Sequence, residues 1–187
     1  IHEDAYELDR PFHSLIITED IKEFTPKEHK LYPNRYKSAY KQYDKYFLFI
    51  ERAFNLLKEN GAMGYIVPSK FMKVGAGKEL RNFLSTNKAV KAITSFGAHQ
   101  VFSDKSTYSC IVVLQNKEND SFKYSEIDSL AKWRVRDLTS FSENERDVSL
   151  IGENAWILCS DRLQSILNHI STQSSPLGEI VGNDYIF

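Results

Sequence analysis

Cysteine is scarce in this sequence. Cys110 and Cys159 are the only two among 187 residues, they stand far apart in no metal-ligand spacing, and the five histidines are scattered singly. A disulfide framework needs more cysteines, and a zinc site needs closely spaced cysteine and histidine ligands. These absences exclude disulfide-stapled and zinc-binding classes, and we expect no metal. Cys110 lies in an apolar run, where a buried free thiol is the ordinary interpretation.

Long apolar runs and an excess of one charge are also missing. No stretch approaches the ~20 apolar residues of a membrane helix, and the first residues lack the pattern of a signal peptide. We therefore expect a soluble, cytoplasmic protein without a membrane partner. The formal net charge is -1, so any surface that binds nucleic acid has to be local.

The clearest pattern that is present joins a helix to a buried strand. Apolar residues recur at helical spacing after Asp44, which can cap the helix, and Gly61 is expected to end it. Residues 65–68, YIVP, form a short apolar run typical of a central parallel strand. A helix, a glycine turn and a central strand form half of a doubly wound α/β domain.

Other apolar runs predict the remaining elements. Strands are predicted at 14–17, 90–96, 107–115, 122–127 and 133–138, and helices at 78–87 and 160–170. Because residues 97–106 are too few for a crossover helix, the strands on either side are predicted to pair antiparallel at the sheet edge. Gly75 and Gly77 lack the full glycine pattern of a phosphate loop, so they indicate flexibility ahead of a helix.

Residues 20–45 combine basic side chains with Phe24 and several tyrosines. Lysine and arginine follow phosphates and aromatic rings stack on bases, so this composition suits the rim of a nucleic-acid site. The candidate contacts with double-stranded DNA are Lys27, Lys30, Arg35, Lys37 and Lys41. The alternative is a solvated helical segment whose tyrosines pack on the sheet.

The chain resembles the later half of the catalytic domain of adenine-N6 DNA methyltransferases from type I and type IIG restriction-modification systems, the Taq methyltransferase-like enzymes. Three blocks in the family's order carry the resemblance: YDKYFLFIERAFNLLKENGAMGYIVPSKF, GKELRNFL and ITSFGAHQVFSDKSTYSCIVVL. The resemblance implies a Rossmann-like S-adenosylmethionine-dependent methyltransferase fold with a mostly parallel sheet that ends in an antiparallel hairpin.

It also implies a division of the chain. Residues 1–118 would be part of the methyltransferase catalytic domain, and 119–175 a small α+β extension and linker. Residues 176–187, PLGEIVGNDYIF, resemble the start of a target-recognition domain.

The resemblance further assigns roles to single residues. Asp44 and Phe49 would lie near the adenosine end of S-adenosylmethionine, with core packing as the alternative for Phe49. Phe102, at the centre of the loop 97–106, would stack on the target adenine, with a plug of the loop onto the core as the alternative. Lys70 joins the expected DNA contacts.

The implied function is the transfer of a methyl group from S-adenosylmethionine to the N6 amine of adenine, within a restriction-modification or phage-defence system. A linked nuclease or specificity domain is a further expected partner. The alternative is a degenerate, non-catalytic module for DNA binding or complex assembly. The family's glycine-rich cofactor loop and its Asn-Pro-Pro-Tyr tetrapeptide are missing, and Thr18-Glu19-Asp20 follows the first predicted strand. We therefore expect a fragment that is inactive alone.

Overall fold

A computed structural model describes residues 14–16, 24–102, 107–135, 143–159 and 161–175 of the protein. The position of the expected tetrapeptide, at Thr18-Glu19-Asp20, and the tail 176–187 lie outside these residues. The chain divides into two compact units, Ile1–Ile157 and Leu158–Phe187. None of the helices in the described part is long and apolar enough to span a membrane.

The first unit is built on a sheet whose order is β1-β2-β4-β3-β5-β6. Its strands are β1 (Ser14–Ile16), β2 (Ala62–Pro68), β3 (Val90–Ser95), β4 (Ser109–Gln115), β5 (Ser121–Glu126) and β6 (Glu143–Asp147). β1 pairs parallel with β2 and β3 with β5, whereas β4 is antiparallel to both β2 and β3 and β6 is antiparallel to β5. β1, β2, β3 and β5 therefore run in one direction, as in the predicted α/β fold. Three of the five strand pairings are antiparallel, however, so the prediction of a mostly parallel sheet is wrong and the sheet is mixed.

The helices of the first unit are α1 (Pro26–Leu31), α2 (Lys45–Phe54), α3 (Lys78–Thr86) and α4 (Leu130–Arg134). Short 3-10 turns cover Tyr32–Asn34, Ser69–Met72, Gly75–Gly77 and Val148–Leu150. The second unit contains α5 (Asp161–Gln173). The predicted helices beginning near 44, 78 and 160 are all present.

β4 is an interior strand. The prediction that β3 and β4 pair antiparallel is confirmed, but the prediction that they lie at the sheet edge is wrong. Cys110, Val112 and Leu114 are at most 1% exposed, and an apolar strand of this kind is stable where both neighbours cover it. β5 and β6 continue the same sheet beyond β3, so the predicted division at residue 118 does not coincide with a break in the sheet.

The second half of the α2 segment differs from the prediction. The helix ends at Phe54 and not at Gly61, and Asn55 caps it. Asn116 accounts for the early end, because its Nδ2 donates to the carbonyl oxygens of Leu57 at 3.0 Å and Lys58 at 3.3 Å. These two carbonyl oxygens therefore have a hydrogen-bond donor without a further helical turn.

Residues 130–134 form a helix where the sequence predicted the beginning of a strand at 133–138. The Ser129 side chain accepts from the amide of Lys132 at 3.4 Å and begins α4 as its N-cap. Trp133 lies on the ring edge of buried Phe96, with centroids 5.8 Å apart. The first residues of the predicted strand therefore belong to the end of a helix. Residues 136–138 lie outside the described part.

Gly77 is required by a close approach and not by flexibility. A Cβ on this residue would lie 2.2 Å from the carbonyl oxygen of Phe71, which is closer than any side chain tolerates. The same oxygen accepts from Arg81 Nη1 at 2.7 Å. The glycine turn is thus a tight connection onto α3, contrary to the flexible connection predicted.

Candidate cofactor and DNA site

The carboxyl ends of β2 and β3 define the candidate site. Pro68, at the end of β2, is in register with Ser109, at the start of β4, and Ser69 N and Oγ both donate to the carbonyl oxygen of Tyr108 at 2.9 and 3.1 Å. Tyr46 Oη, in the first turn of α2, donates to the Pro68 carbonyl oxygen at 3.1 Å. In α/β sheets ligands bind at the carboxyl ends of the parallel strands, so this edge is the candidate ligand-binding site.

Asp44 and Lys70 meet at this edge. Asp44 has the extended backbone of an N-cap, but its side chain makes no cap hydrogen bond; Oδ2 lies 3.0 Å from Lys70 Nζ instead. The cap predicted for Asp44 is therefore replaced by an ion pair between the start of α2 and the turn after β2. Asp44 is predicted to contact the cofactor and Lys70 to contact DNA, and both roles remain predictions.

Phe49 stands on the solvent side of α2. It is 41% exposed, whereas its neighbours Leu48 and Ile50 are 6% and 1% exposed. Within the described residues the ring is not packed in the core, which was the alternative considered for Phe49. Its contact with a cofactor adenine remains a prediction, to which the structure adds that the ring is accessible.

Two hydrogen bonds hold the first half of the loop after β3 in place. Gly97 adopts a left-handed backbone with φ of +54°, which favours glycine. His99 Nε2 lies 3.2 Å from the carbonyl oxygen of Asp128, and Arg134 Nη2 donates to the Val101 carbonyl oxygen at 3.4 Å. Phe102 is half-buried and is the last residue described before 107, so its stacking role remains a prediction.

The candidate DNA contacts of the basic segment are all exposed. This group consists of Lys27, Lys30, Arg35, Lys37 and Lys41. The aromatic side chains of the same segment pack on one another: Phe24 lies 4.8 Å from Tyr43 and 6.1 Å from Tyr32, centroid to centroid. Because Tyr43 is only 8% exposed, it cannot stack on a base. The DNA contacts of the five basic residues remain predictions.

Two carboxylates anchor this segment, and the sequence analysis missed both. Glu28 accepts from Thr25 N at 2.7 Å and from Tyr32 Oη at 2.9 Å. The Thr25 amide, followed by the Tyr32 hydroxyl, lowers the pKa of Glu28 to about 2. Thr25 and Glu28 form a capping box, and their spacing, with Pro26 between them, was the signal in the sequence that could have revealed it.

Glu51 is the second missed carboxylate. It is 4% exposed on α2 and accepts from the backbone amides of Lys37 at 3.1 Å and Ser38 at 2.8 Å. A buried carboxylate requires such donors. Glu51 follows Phe47 by four residues and precedes Phe54 by three, which places it on the buried face of α2, but its partners are supplied by a distant loop.

Within the described residues no group of three or more histidine, cysteine, aspartate and glutamate side chains could hold a metal ion. Cys110 is fully buried, as predicted, and burial raises the pKa of its thiol to about 12. A thiol of this kind is unreactive at neutral pH. What the site contains is an exposed aromatic, an ion pair and a rim of cations.

Residues 16–102 match the family model described as Eco57I restriction-modification methylase. The chain is 44% identical over 169 residues to the type II restriction enzyme and methyltransferase RM.Eco57I of Escherichia coli, covering 90% of this chain and 17% of that protein. It is 35% identical over 163 residues to the type II methyltransferase M.BstVI of Geobacillus stearothermophilus, covering 77% of this chain and 29% of that protein. The chain thus spans less than a third of the length of these relatives.

Solved structures support the fold. A modification subunit of a putative type I restriction enzyme from Vibrio vulnificus is 15% identical, with a TM-score of 0.52 over 72% of this chain and 36% of that one. The type ISP restriction-modification enzyme LlaGI is 20% identical, with a TM-score of 0.52 over 76% of this chain and 14% of that one. The resemblance found in the sequence is confirmed: the chain is similar in sequence to restriction-modification methyltransferases, and its α/β fold is shared with a modification subunit of a type I restriction enzyme.

Proposed function

We propose that the protein containing this chain is an S-adenosylmethionine-dependent DNA methyltransferase that modifies the N6 amine of adenine at specific sites, in the cytoplasm, as part of a restriction-modification or phage-defence system. The observation that carries the proposal is the 44% identity, over 90% of this chain, to a relative named as a restriction enzyme and methyltransferase. The name of that relative also supports a nuclease or specificity domain linked to this chain in the intact protein.

The chemistry is a problem of positioning. The lone pair of an exocyclic amine is delocalised into the adenine ring, so the amine has to be held against the methyl donor in the reactive geometry. Methyltransferases reach such an atom by extruding the base from the duplex. We propose that Phe102 stacks on the extruded adenine. Its loop is anchored at Gly97 and Val101, beside the carboxyl ends of the strands.

The exposed side chains of α2 fit the adenosine end of the cofactor. S-adenosylmethionine supplies the methyl group when bound. Phe49 presents an accessible ring for an adenine, and the Asp44 carboxylate, about 30% exposed in its pair with Lys70, can accept hydrogen bonds. If Lys70 moved away from Asp44, the Asp44 carboxylate could bind a hydroxyl or amine. The Lys70 ammonium could then bind a phosphate.

DNA is the partner that suits the exposed cations of residues 27–41. The solved relatives include LlaGI in complex with a DNA substrate mimic and a DrdV–DNA complex with a TM-score of 0.50, which supports DNA as the substrate here. We propose that Lys27, Lys30, Arg35, Lys37 and Lys41 contact phosphates, with Lys70 at the inner end of the same surface.

Phe102→Ala in the intact protein tests the stacking role. Base stacking on an aromatic ring is worth about 1–3 kcal/mol, so methylation should slow by roughly ten- to a hundredfold. Phe102→Trp, which keeps a flat ring, should retain much of the activity. Thermal unfolding is measured beside turnover, because a large fall in Tm with a matching loss of soluble enzyme would mean that Phe102 holds the loop to the core.

Lys27→Ala combined with Lys30→Ala tests the DNA rim. Loss of two phosphate contacts should weaken binding about equally for all sequences and reduce the slope of log affinity against log salt by about two units. Lys58→Ala with Lys117→Ala is the matched control, since both lysines are exposed at the opposite end of the β2–β4 pair. An equal effect of the two double variants would refute the assignment.

DNA binding without any methylation by the intact protein would favour the non-catalytic alternative.

A further inference from the structure

α1 is held in place by polar contacts. It has six residues and buries none of them, and helices this short are marginal in water without support from the rest of the fold. The ring of His29 lies 5.1 Å from the Phe24 ring, centroid to centroid, but no residue of α1 is buried deeply enough to fix where its cations stand. Some other contact has to orient Lys27 and Lys30.

Glu28 makes the contacts that do so. Besides closing the capping box with Thr25 and accepting from Tyr32 Oη, its carboxylate lies 3.2 Å from Lys45 Nζ. Lys45 is the first residue of α2. The pair is largely shielded, with side-chain exposures of 14% for Lys45 and 24% for Glu28, and Lys45 Nζ also lies 5.1 Å from the centroid of the Phe24 ring.

The positions of Lys27, Lys30 and Glu28 around the axis of α1 explain how this contact orients the two lysines. At 3.6 residues per turn, Lys27 and Lys30 stand about 60° apart around the axis, and Glu28 is about 100° from Lys27 on the other side. Fixing Glu28 against α2 therefore directs both lysines outward together. The Glu28 carboxylate is ionised at neutral pH, and the Thr25 amide is the chief cause that lowers its pKa to about 2.

We propose that Glu28 is a positioning residue for DNA binding, which fastens the basic helix α1 to the start of α2 so that Lys27 and Lys30 face the DNA backbone in a fixed register. The inference rests on the proposed function, because it concerns how that same site holds DNA. Glu28 itself does not contact DNA; it acts through Thr25, Tyr32 and Lys45.

The sign of one substitution separates this role from simple electrostatics. Glu28→Gln removes a negative charge beside a cationic rim, so a purely electrostatic effect would tighten DNA binding. If Glu28 positions α1, the same substitution weakens binding, by about fivefold, the scale of coupling between residues in one hydrogen-bonded network. Glu59→Gln is the matched control, because it removes the same charge from an exposed side chain.

The measurement is the affinity of the intact protein for duplex DNA at several salt concentrations, with S-adenosylmethionine affinity and Tm measured in parallel. We expect weaker DNA binding by Glu28→Gln, unchanged or slightly tighter binding by Glu59→Gln, and cofactor affinity unchanged in both. Tighter or equal DNA binding by Glu28→Gln would overturn the proposal, as would an equal loss of cofactor affinity, which would indicate general damage to the fold.

A second variant covers the case in which Glu28→Gln does not fold. Lys45→Gln keeps the capping box and removes the link to Glu28 together with the cation–π contact with Phe24, so it should also weaken DNA binding. The double variant Glu28→Gln with Lys45→Gln should be no weaker than the worse single variant, because both remove one contact, whereas additive losses would refute the link. Failure of the proposed function would look different: the Lys27→Ala and Lys30→Ala double variant would then leave DNA affinity unchanged.

Discussion

α1 and α2 are consecutive helices that are held in the fold by different forces. α2 buries six of its ten residues, including Phe47 at 0% exposure, and burial of this kind contributes about 1.5–3 kcal/mol for each large apolar side chain. α1 buries none and is attached by a capping box, one ion pair and neighbouring aromatic rings. The comparison indicates that the fold determines where α2 lies, whereas a few polar atoms determine where the basic surface lies.

Two phenylalanines on α2, one buried and one exposed, are expected to give the largest difference in stability. Phe47→Ala should destabilise the protein by about 3–5 kcal/mol, because it removes a fully buried ring and leaves a cavity. Phe49→Ala on the same helix should cost less than about 1 kcal/mol, since that ring is 41% exposed. Urea unfolding of both variants measures the difference, and similar losses would mean that the exposed side of α2 is covered.

Arg81 on α3 tests polar attachment inside the core. It is 4% exposed and donates to the carbonyl oxygens of Phe71 at 2.7 Å, Val74 at 2.8 Å and Glu153 at 2.9 Å. Arg81→Met would remove the side-chain donor of all three carbonyl oxygens, of which Val74 keeps the Gly77 amide at 3.1 Å, at a cost of about 2–4 kcal/mol in the free energy of unfolding. Arg81→Lys, which lacks the planar fork, should recover only part of the loss. A full recovery would show that the charge alone is sufficient.

The smallest effect concerns the pH dependence of the attachment of α1. The folded-state pKa of Glu28 is about 2, against an ordinary value of 4.5, so the ionised carboxylate stabilises the folded state fully above about pH 4.5. That stabilisation is lost as the pH falls from 4.5 to 2. The stability difference between the unmodified protein and Glu28→Gln should therefore be constant near neutrality and shrink through this window. A difference that persists at pH 2 would contradict the assignment.

The sequence predicted those elements whose apolar pattern decides them. α2, α3 and α5 follow helical spacing, and β2, β3 and β4 follow apolar runs. It failed at residues 133–135, where the Ser129 side chain caps a helix and Trp133 contacts the Phe96 ring. It also failed at Gly77, where the reason for glycine is a carbonyl oxygen from another part of the chain.

The candidate site divides in the same way. Phe49, Lys70, Phe102 and the exposed lysines could be proposed from the motifs and the local charge. Glu28, Glu51 and Arg81 could not be recognised as anchors, although the Thr25 capping box was visible, because each acts on atoms supplied by a different element. A side chain's type is local information, but the identity of its partner is not.

The sequence alone determined the fold class, the kind of protein and the segments that bury the core, since apolar periodicity and ordered motifs are local properties of the chain. Only the tertiary structure decided that β4 lies between β2 and β3, that Asp44 pairs with Lys70, and that α1 is fastened through Glu28. Each of these depends on distances between residues far apart in sequence, and such distances are set only when the sheet forms.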